Sequence, residues 1–248
     1  MLETLRTARG VMRSLGIYYG WRQRNRSRAM DVLYGRFVKP GDLVFDIGAH
    51  VGDRVAAFRR LDAKVVAVEP QPALAFTLGV MFGRDGNVVL KRVAVGRSTG
   101  DVRLLVNIDN PTISTASDSF VHAAHDAPGW QGQTWDKSIR VPMTTLDALI
   151  EKHGVPAFIK IDVEGFEEEV LLGLTRPVAA LSFEFTTIQR DMARACVDRC
   201  VALGLTRFNA AIGESQEIGD WRSAEAIGQW LDELPHDANS GDVYALRP

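Results

Sequence analysis

Two carboxylates stand where short apolar runs break into turns. Asp46 lies in Phe45-Asp46-Ile47-Gly48-Ala49-His50-Val51-Gly52-Asp53, and Glu69 lies in Val68-Glu69-Pro70. An acid at the first position accepts hydrogen bonds from an ammonium group and repels a pyrophosphate, so it favours an amino-acid-like ligand. Gly48 and Gly52 are spaced Gly-x-x-x-Gly, not as the Gly-x-Gly-x-x-Gly of dinucleotide sites. Without a Cβ they let the backbone of this turn, including Ala49 and His50, approach a ligand. The Glu69 carboxylate is placed to accept from both hydroxyls of a ribose, with Pro70 beside it. Ala94, in Val93-Ala94-Val95-Gly96, is small enough to admit a purine ring against the backbone, or simply to pack a turn.

A third block reads Ile159-Lys160-Ile161-Asp162-Val163-Glu164-Gly165-Phe166-Glu167. Asp162 and Glu164 are suited to accept a proton from a hydroxyl, to share a divalent metal, or to cap a helix. Lys160 and Glu167 are expected to be structural or on the surface. His122, His125 and the adjacent Asp126 offer a base near neutral pH, or two ligands of a metal site with no third one placed. Ordinary loop positions are the plainer expectation for all three. Trp130, Trp135, Trp221 and Trp230 suit either packing or a stacking wall for an acceptor. Cys196 and Cys200, four apart, suit one buried helix face in a reducing compartment, with no further cysteine to build a cluster.

The elements that must hold these residues alternate. Strands are predicted over 43–47, 64–68 and 87–90, with helices over 53–61 and 72–82, which is the pattern of a parallel sheet with crossover helices. Residues 97–155 interrupt it. Strands are expected over 101–107 and 138–143, with a polar lid or substrate loop over 108–137 between them, and a helix over 144–152. The alternation resumes with a strand over 157–161, a helix over 166–174, a strand over 180–185, a helix over 190–203 and a strand near 205–210. A polar, Trp-containing insertion over 213–241 precedes the last strand, over 242–246. Residues 1–36 read as helix, broken at Gly16 and Gly20. The expected organisation is a helical basic arm over 1–36 and one α/β domain over 37–248 with the lid inserted at about 108–137.

The chain has 248 residues, 46% hydrophobic and 24% charged, ordinary for a soluble globular enzyme. No apolar run reaches the roughly 18 residues of a membrane span. Arg6, Arg9 and Arg13 interrupt the first apolar stretch, so no secretory signal is expected and the cytoplasm is the expected location. The net charge of −2 hides an asymmetry: residues 1–40 hold nine bases and two acids, a net of +7, leaving −9 for the rest. A basic arm suits an acceptor carrying phosphate or carboxylate, or a solvated face packed beside an acidic body. The acidic body argues against duplex nucleic acid.

The acids after the first two strands are together the signature of a class I methyltransferase core. The blocks at 45–53 and 159–167, in that order, closely resemble the FkbM family of methyltransferases. The resemblance runs over about 34–184 and includes Thr145-Leu146-Asp147 and Glu184. It implies a Rossmann-like, mostly parallel seven-stranded sheet with helices on both faces, S-adenosyl-L-methionine as cofactor, and usually O-methylation of sugar or natural-product hydroxyls. His50 stands where the family often has Asn. Cofactor binding is therefore expected from Asp46, Gly48, Ala49, His50, Gly52, Glu69, Pro70, Ala94 and Asp162, and catalysis from Asp162 and Glu164. Acceptor contacts are expected from His122, His125, Trp130 and Glu184, with a divalent metal left open. The partner is a hydroxylated small molecule, a saccharide or glycosylated metabolite, with a lipid head group, protein or RNA as alternatives and a homo-oligomer left open. The missing Gly-x-Gly-x-x-Gly counts against an NAD-dependent oxidoreductase, and the intact 162–165 block against a cofactor-binding module without catalysis.

Overall fold

Short runs of β-branched and aromatic residues that can be buried on both faces become the strands of a central sheet. The computed structural model describes residues 2–20 and 24–248. Its main sheet holds β1 (Leu43–Ile47), β2 (Lys64–Val68), β3 (Val88–Lys91), β7 (Phe158–Ile161), β8 (Ala180–Thr186), β9 (Arg207–Ile212) and β10 (Ser240–Leu246). Their order is β3-β2-β1-β7-β8-β10-β9. All neighbours pair parallel except β10, which is antiparallel to both β8 and β9. The connections diverge between β1 and β7, so a cleft opens at their carboxyl ends, where open α/β sheets bind ligands.

Each face of the sheet buries its own core. One holds Phe45, Ile47, Ile159, Ile161 and Phe183 under α7 (Glu167–Leu172), α8 (Arg190–Ala202) and α9 (Ala224–Glu233). The other holds Val44, Phe58, Phe158 and Tyr244 under α3 (Asp53–Arg60) and α2 (Arg24–Tyr34). Met30, Leu33 and Tyr34 of α2 belong to this second core, so the end of the segment expected as an arm covers the sheet. Cys196 and Cys200 are free and buried on α8, as their spacing suggests.

The first helix, α1 (Leu2–Tyr19), runs unbroken through Gly16, which corrects the break expected there. Arg22 of the basic arm lies outside the described residues. α1 crosses the start of the inserted segment so closely that a Cβ on Gly10 would sit 2.6 Å from the Ile108 carbonyl oxygen. Arg6 ties the crossing to Asp109 and Asp136, and Glu3 ties it to Lys137.

The insertion is a second sheet of three strands. β4 (Ala94–Val95) and β5 (Gly100–Val106) flank β6 (Lys137–Thr144). The segment expected as a loop carries α5 (Asp118–His125), capped by Ser117 accepting from the Phe120 N–H at 3.1 Å. It packs Ile113, Phe120, Ala124 and Trp130 into a small core of its own. The polar stretch at 213–241 likewise holds a helix, α9. Ser223 caps it by accepting from the Ala226 N–H, and Ile227 and Leu231 plant it in the main core. Only Ile227 and Leu231 are strongly apolar and fully buried, with Ala224 and Trp230 partly packed beside them, too few to stand out from a polar sequence.

Candidate active site

The carboxyl end of β1 places Asp46 under the cleft. It is 1% exposed, and among the described residues its Oδ2 has no hydrogen-bond partner. Burial first, and then the charge of Asp53, push its carboxyl up to about 7. Gly48 adopts φ 83°, and a Cβ there would collide with the Asp162 carbonyl oxygen. Its glycine is therefore required both by the left-handed backbone and by the close approach of the β1 and β7 ends. Gly52 also has a positive φ, but a Cβ on it would meet Leu78 and Phe82 of the next helix, α4 (Pro72–Phe82). It serves helix packing and does not line the cleft, a correction to its expected cofactor role.

Glu69, 3% exposed, accepts from the His50 N–H at 3.0 Å and the Gln71 N–H at 2.8 Å, one on each oxygen. These bonds orient the carboxylate and leave each oxygen a free lone pair, as a ribose diol requires. Burial outweighs both bonds and pushes the carboxyl up to about 8. His50, at φ 49°, packs edge-on against Tyr18 with ring centroids 5.3 Å apart. Burial lowers its imidazole to about 4, so it is neutral at physiological pH. Asp46, Gly48, Ala49, His50, Glu69, Pro70 and Ala94 all line one cleft of about 860 Å3, counting its open mouth.

On the other side of the cleft lies the β7 block. Lys160 is fully buried beneath it, its Nζ 3.0 Å from Asp162 Oδ2 and 2.8 Å from Asp242 Oδ1. It is structural, as one of its two expected roles had it, and never reaches the surface. Burial alone would raise Asp162, but Lys160 and Arg54 hold it below its ordinary value. Glu164, at φ 57°, points its carboxylate into the same cleft. Its backbone carbonyl accepts from the Thr115 hydroxyl at 2.6 Å, which ties the block to the insertion. Glu184 joins from β8, and one carboxylate oxygen from each of Asp162, Glu164 and Glu184 lies within 4.8 Å of the others. Burial and then Asp162 raise Glu164 and Glu184 well above the usual carboxylate range. Glu167 is buried and accepts from the Val163 N–H at 2.9 Å, holding the turn's shape.

Several residues of the site carry no local sequence signal. Asp53 accepts from Arg54 at 2.5 Å and from Arg26 of α2 at 2.8 Å, and both arginines also reach Glu214. Burial opposes ionisation of Asp53, but Arg54 and Arg26 hold it at about 2. Tyr18 of α1, Thr112 and Ser114 of the insertion, and Glu214 line the cleft beside Asp46 and Asp162. Asp242 reaches the site from the far end of the chain through Lys160. Asp147, noted for its motif, accepts from the backbone and hydroxyl of Thr175 and is structural.

Three expected acceptor residues are elsewhere. His122 and His125 are exposed on α5, His125 paired only with its neighbour Asp126. Trp130 is buried edge-on against Phe120. None lines the cleft, because α5 turns its apolar face inward to its own small core and leaves the histidines in solvent. The acceptor role expected for them is corrected accordingly.

A buried ammonium acceptor at the end of β1, a diol acceptor after β2 and backbone close enough to touch a ligand fit S-adenosylmethionine. Together with the sheet order and its one antiparallel strand, they define a class I S-adenosylmethionine-dependent methyltransferase. More narrowly, the chain belongs to the FkbM methyltransferase family: the family model described as "Methyltransferase FkbM domain" matches residues 46–238. The hexuronic acid methyltransferase AglP of Haloferax volcanii is 26% identical over 199 residues, 76% of each chain. Among solved structures, a TehB-like S-adenosylmethionine-dependent methyltransferase from Corynebacterium glutamicum aligns over 95% of this chain and 99% of its own, with TM-score 0.46 and 12% identity. Aeropyrum pernix fibrillarin, solved with bound S-adenosylmethionine, aligns over 90% and 76%, with TM-score 0.46 and 12% identity. No helix among the described residues is long and apolar enough to cross a membrane.

Proposed function

We propose that this methyltransferase O-methylates a hydroxyl group of a saccharide in the cytoplasm. One observation carries the reading: the cofactor carboxylates Asp46 and Glu69 share a single cleft with Asp162 and Glu164, whose carboxylates stand across from them. The name of the Haloferax relative, a hexuronic acid methyltransferase, supports a sugar as the acceptor. The two free, buried cysteines suit a reducing cytosol.

In this reading Asp46 accepts from the amino group of the cofactor's methionine end and Glu69 from its ribose hydroxyls. The backbone of 48–50 closes over the first, and Pro70 and Ala94 flank the adenine. Bound S-adenosylmethionine supplies a methyl group on a sulfonium, open to in-line attack. The protein's task is then mostly alignment. Lys160 holds Asp162 in one orientation, and Asp162 with Glu164 orients the acceptor hydroxyl. A carboxylate of this pair takes the hydroxyl proton as the oxygen–methyl bond forms, leaving a methyl ether and S-adenosylhomocysteine. Residues 37–248 hold the cofactor, while the arm over 1–36 and the insertion at about 108–137 close the cleft through Tyr18, Thr112 and Ser114 and shape the way in for the acceptor.

The test has two parts. Calorimetry should show S-adenosylhomocysteine binding in the micromolar range, on the order of −8 kcal/mol. Transfer of labelled methyl to a panel of glycosides, uronic acids included, should then give an alkali-stable methyl ether. Label found only on amine, lipid or RNA acceptors rejects the proposal, as does tight NAD binding with no affinity for S-adenosylhomocysteine.

A further inference from the structure

At and beneath the cleft stand more carboxyl groups than the neighbouring cations answer. Asp162 and Asp242 share one ammonium, that of Lys160. Glu184 sits beside both, paired across from Asp242 in the β8–β10 register and next along the sheet from Asp162. Glu164 completes the group. The nearby guanidinium of Arg54 is already engaged by Asp53 and Glu214. Two carboxylates therefore share one ammonium, and among the described residues the two grouped with Asp162 have no ion pair of their own.

Two members of this group, Glu164 and Glu184, also have carboxylate oxygens that no donor reaches among the described residues. Glu164 is only 7% exposed, and among the described residues no donor reaches its carboxylate, which faces into the cleft. Glu184 Oε2 is buried and has no hydrogen-bond partner among the described residues. Two residues further along the same face of β8, Thr186 is 2% exposed and its hydroxyl is also without a partner. A buried acceptor left unmatched costs about 1–3 kcal/mol, so the two buried oxygens of Glu184 and Thr186, with the Glu164 carboxylate grouped beside Glu184, call for a ligand. A cation that takes oxygen ligands would satisfy the carboxylates together.

We propose that Asp162, Glu164 and Glu184 bind a hard divalent cation of the Mg2+, Mn2+ or Ca2+ type, to which the acceptor's hydroxyls bind in turn. The ligand oxygens lie within 4.8 Å of one another, and a cation with oxygen ligands at about 2.1–2.6 Å spans such a set. All-carboxylate ligands select this group of metals over zinc or copper. Three protein ligands leave coordination positions for two neighbouring hydroxyls, or for a hydroxyl and a carboxylate, as a uronic acid presents. The inference rests on the hydroxyl-methylating reading above and specifies how that cleft holds its acceptor.

Titration of the intact protein with Mn2+ alone, followed by electron paramagnetic resonance, tests it without acceptor or cofactor. A single saturable site is expected, with Mg2+ or Ca2+ competing for it. Glu164→Gln and Glu184→Gln should each weaken it about tenfold or more, while Asp198→Asn, an exposed acid on α8, should not. S-adenosylhomocysteine affinity in the same variants reports that they are folded. Should either Gln variant fail to fold, Asp162→Asn replaces it. Absence of saturable Mn2+ binding to the folded protein overturns the proposal, as does binding that all these variants leave unchanged. A protein that binds Mn2+ as described but no S-adenosylhomocysteine refutes the methyltransfer reading and leaves the cation site standing.

Discussion

At the scale of single residues, burial of two carboxylates makes cofactor binding depend on pH. Asp46 and Glu69 titrate at about 7 and about 8 in the fold, against ordinary values of 3.8 and 4.5. The fold therefore favours their protonated forms. That stabilisation is complete below about pH 4 and is lost as pH rises through about 7 for Asp46 and about 8 for Glu69. Over that window the ligand-free protein should lose on the order of a few kcal/mol from the pair. A ligand whose ammonium and hydroxyls donate to the ionised forms should restore it. The rise in Tm produced by saturating S-adenosylhomocysteine is thus expected to be larger near pH 8 than near pH 5.5, and a flat or inverted trend counts against the assignment. Glu69→Gln should flatten the trend and cost about 1–3 kcal/mol of binding. Asp162→Asn belongs to the other side of the cleft. We expect kcat to fall by about 10²–10⁴ while S-adenosylhomocysteine affinity stays within about tenfold. Equal losses in the two would remove Asp162 from the chemistry.

At the scale of elements, the cleft is closed by pieces that have to be held against the sheet. The ion-pair network of Arg26, Asp53, Arg54 and Glu214 fastens α2 and the start of α3 together. Arg54→Met should lower stability by about 3 kcal/mol, because it leaves Asp53 buried beside only one arginine. Adding Asp53→Asn should recover part of that loss, and a double-mutant cycle by urea denaturation reads the coupling directly. Simple additivity would mean that the pair is energetically idle. Gly10 tests the contact between α1 and the insertion. Gly10→Ala removes a glycine from a helix, which by propensity alone would stabilise it by up to about 1 kcal/mol. The carbonyl of Ile108 leaves no room for the added methyl. We expect a net loss of about 1–3 kcal/mol instead, with faster hydrogen exchange over residues 2–19 and 108–113. A more stable variant would show that α1 crosses the insertion less closely.

At the scale of the whole molecule, the charge asymmetry of the sequence is settled in part inside the fold. Arg6 and Arg26 of the basic arm meet Asp109, Asp136, Asp53 and Glu214 of the acidic body. An acceptor steered by the arm's excess charge would show kcat/KM falling steeply with salt. With part of that charge paired internally, the dependence should be shallow, less than about threefold between roughly 0.05 and 0.3 M salt. The insertion is also more closely joined to the cofactor side than a separate lid would be. Thr112 lies 3.4 Å from the His50 ring, and Gln71 donates to the Pro111 carbonyl. Occupying the cleft should therefore protect both α1 and the insertion together in limited proteolysis.

What the sequence determined by itself was whatever depends on neighbours a few positions apart. Strand and helix periods, the acids ending β1 and β2, the Gly48 turn and the Asp162–Glu164 block were legible because each is a local pattern with a local physical cause. The alternation of those elements then restricted the sheet to the parallel arrangement that opens a cleft between β1 and β7. Tertiary structure alone decided which charges meet. Lys160 finds Asp242 across 82 positions, and Arg26 finds Glu214 across 188. Nothing in the flanking residues of either partner marks the other. The same holds for Tyr18 in the cleft and for the histidines of α5 outside it. Which face a helix turns inward depends on the surface it meets, and burial, not residue type, decides whether a carboxylate there is an ordinary surface charge or part of a site.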